Sequence, residues 1–173
     1  IRRTSNRVNK ELDLNFYIMN SHHTVAIGTW EGDKQQSIEY NSSIAVGIDC
    51  PRAKLRVSIL LDTIQEYQVR YIFSDEEISE AVNEAGLIIG ARGIAYEGVL
   101  QRKPVIVVGE YGFGGLVTPD TLHEQYNNYF RGKINGIKAE YFSLERLEEE
   151  IRRGFALTFQ ELQMMSNQTI RFL

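Results

Sequence analysis

The chain has 173 residues, of which 43% are hydrophobic and 24% are charged. These proportions are typical of a globular domain with a substantial core and exclude a wholly disordered chain. The formal net charge of -4 argues against a domain devoted to binding the nucleic-acid backbone.

No apolar run approaches the roughly 20 residues that are needed to span a bilayer. The single cysteine, Cys50, cannot form an internal disulfide, which is typical of a reducing compartment. We therefore expect a cytoplasmic protein. Because the chain begins at Ile1 and continues with a polar stretch rather than a signal sequence, we also expect it to be a piece of a longer protein.

The amino-terminal 42 residues favour β-strands. Runs rich in strand-forming residues occupy 12–19, 24–30 and 35–40, and turn-prone residues separate them. This pattern predicts a short antiparallel β meander. Three strands make a poor independent domain, so we expect residues 1–42 to be a β-rich extension or the remnant of a preceding lobe, and residues 43–173 to form the main domain.

From residue 43 onward, strands alternate with segments of helical length. The predicted strands are 44–48, 70–73, 87–90, 105–108 and 139–142. The predicted helices are 53–67, 75–85, 94–102, 120–130 and 144–155. Pro51, a capping box of Ser74 with Glu77, and Ser143 mark helix starts. The alternation predicts a Rossmann-like α/β domain, a parallel sheet with helices on both faces.

Ligands of such sheets bind beyond the carboxyl ends of the strands, which directs attention to the loops there. Arg52, Lys54 and Arg56 follow the first strand of the main domain, at the start of a helix. A helix amino terminus and added cations would stabilise a phosphate. The alternative is a solvated face, because three cations spaced two residues apart cannot all point one way.

A second candidate follows the strand 87–90. Two glycines, Gly90 and Gly93, let the backbone approach a ligand closely, and the guanidinium of Arg92 can fork onto a phosphate or carboxylate. Glu97 lies one turn along the helix and could accept hydrogen bonds from sugar hydroxyls. The alternative is a surface Glu97 with Arg92 as its salt-bridge partner.

A third candidate is the glycine-rich loop that follows the strand 105–108. Gly112, Gly114 and Gly115 predict unusual dihedrals, a mobile lid or a close approach to a ligand. Thr118, at the predicted start of the next helix, adds a position that favours anions. Tyr111 could stack on a base or sugar.

The remaining segments give weaker evidence of function. The acidic loop 74–77 is explained by its capping role, and His22 with His23 predicts a surface turn rather than a metal site. We therefore expect no metal and no cofactor. The apolar tail 155–173 is predicted to pack on the domain or to form an interface with a partner domain.

The run 85–109 resembles the carboxyl-terminal half of GT-B fold glycosyltransferases. It contains a strand, a turn, a helix bearing Glu97, and then Lys103-Pro104-Val105 leading into another strand. Gly86 replaces the acidic residue usual in that family. The likeness covers roughly residues 44–153, is specific over 85–109, and is closest to capsule-polysaccharide transferases around residues 109–117.

The resemblance implies a nucleotide-sugar site between two Rossmann-like lobes. Glu97 would match the carboxylate that contacts the ribose or sugar, and Arg52 or Lys54 would stand where a basic residue meets the diphosphate. The expected function is the donor-binding lobe of a bacterial-type glycosyltransferase in polysaccharide biosynthesis. The catalytic base would come from a missing amino-terminal lobe or partner domain, so no catalytic residue is assigned.

The expected partners are thus a nucleotide sugar and that second lobe, without nucleic acid and without a transmembrane segment; a homodimer is an alternative. A non-catalytic flavodoxin-like sensor or interaction domain is a different hypothesis, one version of which uses Asp49 as a phosphoacceptor. A nucleotide-sugar epimerase-like enzyme ranks behind both, because the acidic and histidine residues for proton transfer are not gathered in these loops.

Overall fold

The computed structural model describes residues 23–25, 38–40 and 42–172. The strands are β1 His23–Val25, β2 Ile38–Tyr40, β3 Ser43–Gly47, β4 Gln68–Tyr71, β5 Leu87–Gly90, β6 Val105–Gly109 and β7 Gly112–Leu116. The helices are α1 Pro51–Ile64, α2 Ile78–Glu84, α3 Gly93–Leu100, α4 Leu122–Asn127, α5 Leu144–Phe155 and α6 Phe159–Arg171. A 3₁₀ turn, Asp75–Glu77, precedes α2.

The main sheet has five strands in the order β4-β3-β5-β6-β7. Strands β3 to β6 are parallel, and β7 is antiparallel to β6. The predicted Rossmann-like α/β fold is confirmed. β3 lies between β4 and β5, so the chain first runs to one side of β3 and then crosses to the other side. At this switch point a crevice opens between the connection that follows β3 and the connection that follows β5.

Helices cover both faces because the strand residues point alternately to either side. In β5, Leu87 and Ile89 belong to the core beneath α1 and α5, while Ile88 belongs to the core beneath α2, α3 and α6. None of the helices in the described part of the chain is long and apolar enough to cross a membrane.

The predicted meander falls largely outside the described residues, including its strand 12–19. The backbones of β1 and β2 form a separate antiparallel pair, with His23 opposite Tyr40. They correspond to parts of the second and third predicted strands.

Of the three alternatives predicted for the glycine-rich segment, unusual dihedrals are confirmed, and most of the segment forms β7. Gly112 and Gly115 have φ of 114° and 77°, so glycines serve the backbone of this edge strand. Its end is anchored by the buried carboxylate of Glu150, which accepts a 2.7 Å hydrogen bond from the amide of Leu116.

The segment 139–142 is not the predicted fifth parallel strand. It lies in a loop in which Ala139 and Phe142 are buried and Tyr141 is exposed, and Phe142 stacks on Phe113 with ring centroids 4.6 Å apart. Arg56 also donates two hydrogen bonds to the carbonyl of Phe142. β7 already pairs with β6 on that side of the sheet, so these apolar residues contribute to the core without joining it.

Two helix starts also differ from prediction. The side chain of Ser74 caps no helix, and the 3₁₀ turn replaces the first turn of the predicted helix 75–85. Thr118 bonds to Thr121 in a turn, and α4 begins only at Leu122. The cap at Ser143 is confirmed, since its hydroxyl accepts from the amide of Arg146.

The apolar tail packs back on the domain, as one of its two predicted alternatives states. It forms α6, which begins with a capping box of Thr158 and Glu161. Met165 is buried beneath it, and the hydroxyl of Ser166 donates a 2.8 Å hydrogen bond to the carbonyl of Leu100 at the end of α3. This contact holds α3 in place against the sheet.

The close approach of β3 and β5 predicts a large cost for Gly90→Ala. A Cβ atom at Gly90 would lie 2.5 Å from the carbonyl oxygen of Gly47 and 2.6 Å from a methyl group of Ile94. We expect the free energy of unfolding, measured by chemical denaturation, to fall by about 2 kcal/mol or more, as overpacking against backbone does.

Gly93→Ala is the matched control, because a Cβ there would meet only Ile78, at 3.8 Å. It should leave the free energy of unfolding unchanged or raise it by up to about 1 kcal/mol, since alanine favours a helix more than glycine does. Equal stability of the two variants would contradict the close approach of the strands.

Candidate functional site at the carboxyl edge of the sheet

A cavity of about 540 Å³ opens where the connections of β3 and β5 diverge. We call it the switch-point crevice. Its floor is the strand end at Gly47, one wall is the loop after β4, and the other wall is the start of α3. Its polar and charged lining residues are Asp49, Ser74, Asp75, Ser79, Arg92 and Glu97. This is where open α/β sheets bind their ligands.

The start of α3 presents backbone donors to the crevice. The amide of Tyr96 donates to the carbonyl of Arg92, at 2.9 Å, so the amides of Gly93, Ile94 and Ala95 come before it. No side chain caps the helix. Unpaired amides at a helix start, together with the helix dipole, favour an anion.

Arg92 has a backbone conformation that residues other than glycine rarely adopt, with φ of 55° and ψ of -125°. Its amide donates a 3.0 Å hydrogen bond to the carbonyl of Phe130, which holds the turn. Such a conformation costs about 1–3 kcal/mol and persists where the surroundings over-determine it, commonly at functional sites. Arg92 lines the crevice.

Two carboxylates lie near the guanidinium of Arg92, and one of them also pairs with a second arginine. Its Nη2 lies 2.9 Å from Oε1 of Glu110, and its Nε lies 4.0 Å from Oδ2 of Asp49. The same oxygen of Glu110 is 3.2 Å from Nε of Arg131. Because the side chains of Arg92 and Glu110 are 47% and 42% exposed, each pair contributes about 0–1 kcal/mol, and an anionic ligand can compete for Arg92.

A smaller cavity of about 180 Å³ lies beside this cluster. Asp49, Cys50 and Arg92 line it together with Glu110. It extends the polar surface of the crevice toward the end of β6.

Carboxylates outnumber cations in the crevice itself. Asp49, Asp75 and Glu97 line it with Arg92. The carboxylate of Glu97 accepts a 2.7 Å hydrogen bond from the side-chain amide of Gln101, which holds it in position. Carboxylates accept hydrogen bonds and repel phosphates, so the crevice suits a ligand that has hydroxyl groups. Its anionic part would be confined to the part of the crevice at Arg92 and the first amides of α3, which we call the Arg92 corner.

The predicted residues Arg92, Gly93 and Glu97 do come together in the crevice. Lys54 lies behind its wall, with Nζ 4.0 Å from the ring centroid of Phe73. Burial lowers the pKa of Lys54, an effect that the nearby Asp49 opposes.

Arg52 does not line any of the cavities described here. Its side chain is 83% exposed and has Glu140 as an ion-pair partner at 4.0 Å. The two cations are two residues apart in α1 and therefore point in different directions, which is the alternative that their spacing suggested.

Gly112, Gly114, Gly115 and Thr118 do not join the crevice, contrary to expectation. β7 runs antiparallel, so it carries the chain away from the carboxyl edge. The amide of Val117 bonds to the carbonyl of Val105, the first residue of β6, and Thr118 therefore lies at the opposite edge of the sheet. A Cβ at Gly112 would meet the carbonyl of Ile137 at 2.5 Å, so this glycine serves packing.

Three residues of the site carried no assigned role in the sequence. Glu110 directly follows β6, and this position was the signal that could have identified it. Phe73 lies two residues after the end of β4 and fell inside the predicted strand 70–73. Arg131 is brought in by the turn after α4, for which no sequence pattern was available. The loop 74–77, interpreted as a cap alone, instead contributes Ser74 and Asp75 to the crevice.

Within the described residues, no group of three or more histidine, cysteine, aspartate or glutamate side chains is placed to hold a metal ion. Neither a protein-family model nor a curated protein sequence matches this chain. The function proposed below therefore rests on the geometry of the site and on the resemblance over residues 85–109.

The strain at Arg92 predicts that Arg92→Gly is more stable than Arg92→Ala. Both variants lose the same ion pairs, but only glycine adopts φ of 55° with ψ of -125° at little cost. We expect the free energy of unfolding of the glycine variant to be higher by about 1 kcal/mol, after the greater flexibility of glycine in the unfolded chain is allowed for. Denaturant titration of both proteins measures this difference, and an alanine variant of equal or higher stability would contradict the strain.

Proposed function

We propose that this chain is the donor-binding lobe of a glycosyltransferase in polysaccharide biosynthesis and that the switch-point crevice holds a nucleotide sugar. The observation that carries the proposal is the pairing, in one cavity, of a single anion-binding corner with three carboxylates. A nucleotide sugar combines a compact diphosphate with many hydroxyl groups, and it matches both parts.

The diphosphate is assigned to the Arg92 corner. There the guanidinium and the first amides of α3 act together, and Gly93 leaves room beside them because a Cβ at this position would meet nothing closer than 3.8 Å. Charge-assisted hydrogen bonds of this kind are roughly twice as strong as neutral ones. Lys54 behind the wall adds a favourable potential.

The hydroxyl groups of the ribose or the sugar are assigned to the carboxylates. Glu97 lies one turn along α3 from Gly93, so a ligand with its phosphate at the helix start places its adjoining ring near Glu97. Asp49, in the connection after β3, and Asp75, in the connection after β4, line the same cavity. The volume of about 540 Å³ falls in the range of small-molecule pockets.

In such a transferase the sugar leaves a nucleoside diphosphate, whose negative charge grows as the glycosidic bond breaks. Arg92 and the amides at the start of α3 would stabilise that charge. We assign no catalytic base to the described residues and propose that another lobe supplies it. The role of this lobe is thus to bind the donor and to stabilise the leaving group.

A non-catalytic binding module is the second candidate, and the strand order favours it. The order β4-β3-β5-β6 is that of flavodoxin-like domains, which include phosphoacceptor receivers. Asp49 follows β3, and its side chain is 83% exposed. Labelling of Asp49 by acetyl phosphate, abolished in Asp49→Asn, would support this candidate over the transferase.

Isothermal titration with a panel of nucleoside diphosphates and nucleotide sugars tests the donor-binding proposal. We expect one nucleotide class to bind, and Arg92→Ala to weaken that binding by about tenfold or more, since hydrogen bonds to charged groups contribute about 1.5–3 kcal/mol. Glu97→Gln should weaken binding of the ligands with sugar hydroxyls, because its amide replaces a charged acceptor by a neutral one.

Arg52→Ala is the matched control, because it removes the same charge from a side chain that is 83% exposed and lines none of these cavities. It should change the affinity by less than about twofold. A similar loss in Arg52→Ala and Arg92→Ala would reduce the effect to general electrostatics, and the absence of binding across the whole panel would count against the proposal.

A further inference from the structure

A further cavity, of about 330 Å³, lies between α3 and the turn that follows α4. We call it the tyrosine cavity. Its lining consists of Tyr96, Tyr126, Tyr129 and Phe130 together with Arg92, Gly93 and Arg131. It shares Arg92 and Gly93 with the switch-point crevice, and its other walls are different.

The tyrosine cavity differs from the crevice in charge. None of the described residues that line it is acidic, and two of them, Arg92 and Arg131, are arginines whose guanidinium groups also pair with Glu110. Burial raises the pKa of Tyr96 above its ordinary value. The cavity therefore offers aromatic faces and positive charge, a combination that attracts an anion attached to a flat ring.

The aromatic side chains are held by contacts with one another. Phe130 is buried and packs edge-on against Tyr126, at 6.2 Å between centroids, and against Tyr96, at 6.5 Å. The guanidinium of Arg131 lies 5.6 Å from the ring centroid of Tyr129 and donates a 3.1 Å hydrogen bond to the hydroxyl of Tyr111. A preformed wall reduces the entropy lost when a ligand binds.

The backbone of this wall is strained. Tyr129 and Phe130 have φ of 54° and 51°, the left-handed region, which costs a non-glycine residue about 1–2 kcal/mol. The carbonyl of Phe130 accepts the amide hydrogen of Arg92, so the two strained turns are joined by one hydrogen bond. Burial of Phe130 offsets part of the cost, but the ring of Tyr129 is 72% exposed and gains little from packing.

We propose that the tyrosine cavity is a second binding site, for an aromatic ring that carries a phosphate or a carboxylate. The anionic group binds Arg131 and Arg92, and the ring packs on Tyr129 and Tyr96. The proposal does not rest on the proposed nucleotide-sugar function, although the two cavities share Arg92 and Gly93.

Phenyl phosphate is the probe for this proposal, and ligand-observed NMR and isothermal titration are the measurements. We expect phenyl phosphate to bind at least about tenfold more tightly than inorganic phosphate, because stacking on aromatic side chains contributes about 1–3 kcal/mol per ring. Cyclohexyl phosphate serves as a non-aromatic ring with the same anion and without sugar hydroxyls, and it should bind more weakly than phenyl phosphate.

Tyr129→Ala should weaken phenyl phosphate binding by about fivefold or more. Tyr141→Ala is its matched control, because Tyr141 is similarly exposed, at 70%, and lies outside the cavity lining. Arg131→Ala should weaken binding by about tenfold or more, and its far-ultraviolet circular dichroism must match that of the parent protein. Tyr129→Ala keeps the test valid if Arg131→Ala does not fold.

The proposal is overturned if inorganic phosphate or cyclohexyl phosphate binds as tightly as phenyl phosphate, or if Tyr129→Ala behaves like Tyr141→Ala. Glu97→Gln separates the two sites, because Glu97 lines the crevice and not the tyrosine cavity. Unchanged phenyl phosphate binding in Glu97→Gln supports the second site. A loss as large as in Tyr129→Ala would move the ring into the crevice and overturn it.

Discussion

The carboxyl edge of this sheet is organised around the strained backbone of Arg92. Its amide bonds to Phe130, its carbonyl accepts the hydrogen bond from Tyr96 in the first turn of α3, and its guanidinium pairs with Glu110. All three cavities described above include Arg92 in their lining. A change in this turn therefore affects the start of a helix, the packing of the next connection and the charge of each cavity at once.

The distribution of charge divides this edge into two chemical environments. The switch-point crevice is rich in carboxylates and has one anion-binding corner, whereas the tyrosine cavity has guanidinium groups and aromatic rings among its described lining residues. Glu110 lies between the arginines and balances part of their charge. An anion that binds either cavity must compete with Glu110 for Arg92, so occupancy of one cavity is linked to occupancy of the other.

Local patterns identified most elements correctly where propensity and burial agreed. The strand 87–90 has the predicted bounds, because a run of three apolar residues that ends on a glycine has few other interpretations. The segment 139–142 misled because Ala139 and Phe142 are buried, but they contribute to the core from a loop and not from a strand. The glycine-rich segment misled because its glycines let an antiparallel edge strand pack closely against neighbouring loops, and they do not line the crevice.

The sequence by itself determined the α/β alternation, the position of the sheet's carboxyl edge and the place of Arg92, Gly93 and Glu97 in one turn. These features follow from short-range periodicity and from the rule that parallel strands end together. Only the tertiary structure decided that β7 reverses direction and carries Gly114, Gly115 and Thr118 away. It also decided that Arg131 meets Glu110, because residues distant in sequence meet only through packing, which no local pattern encodes.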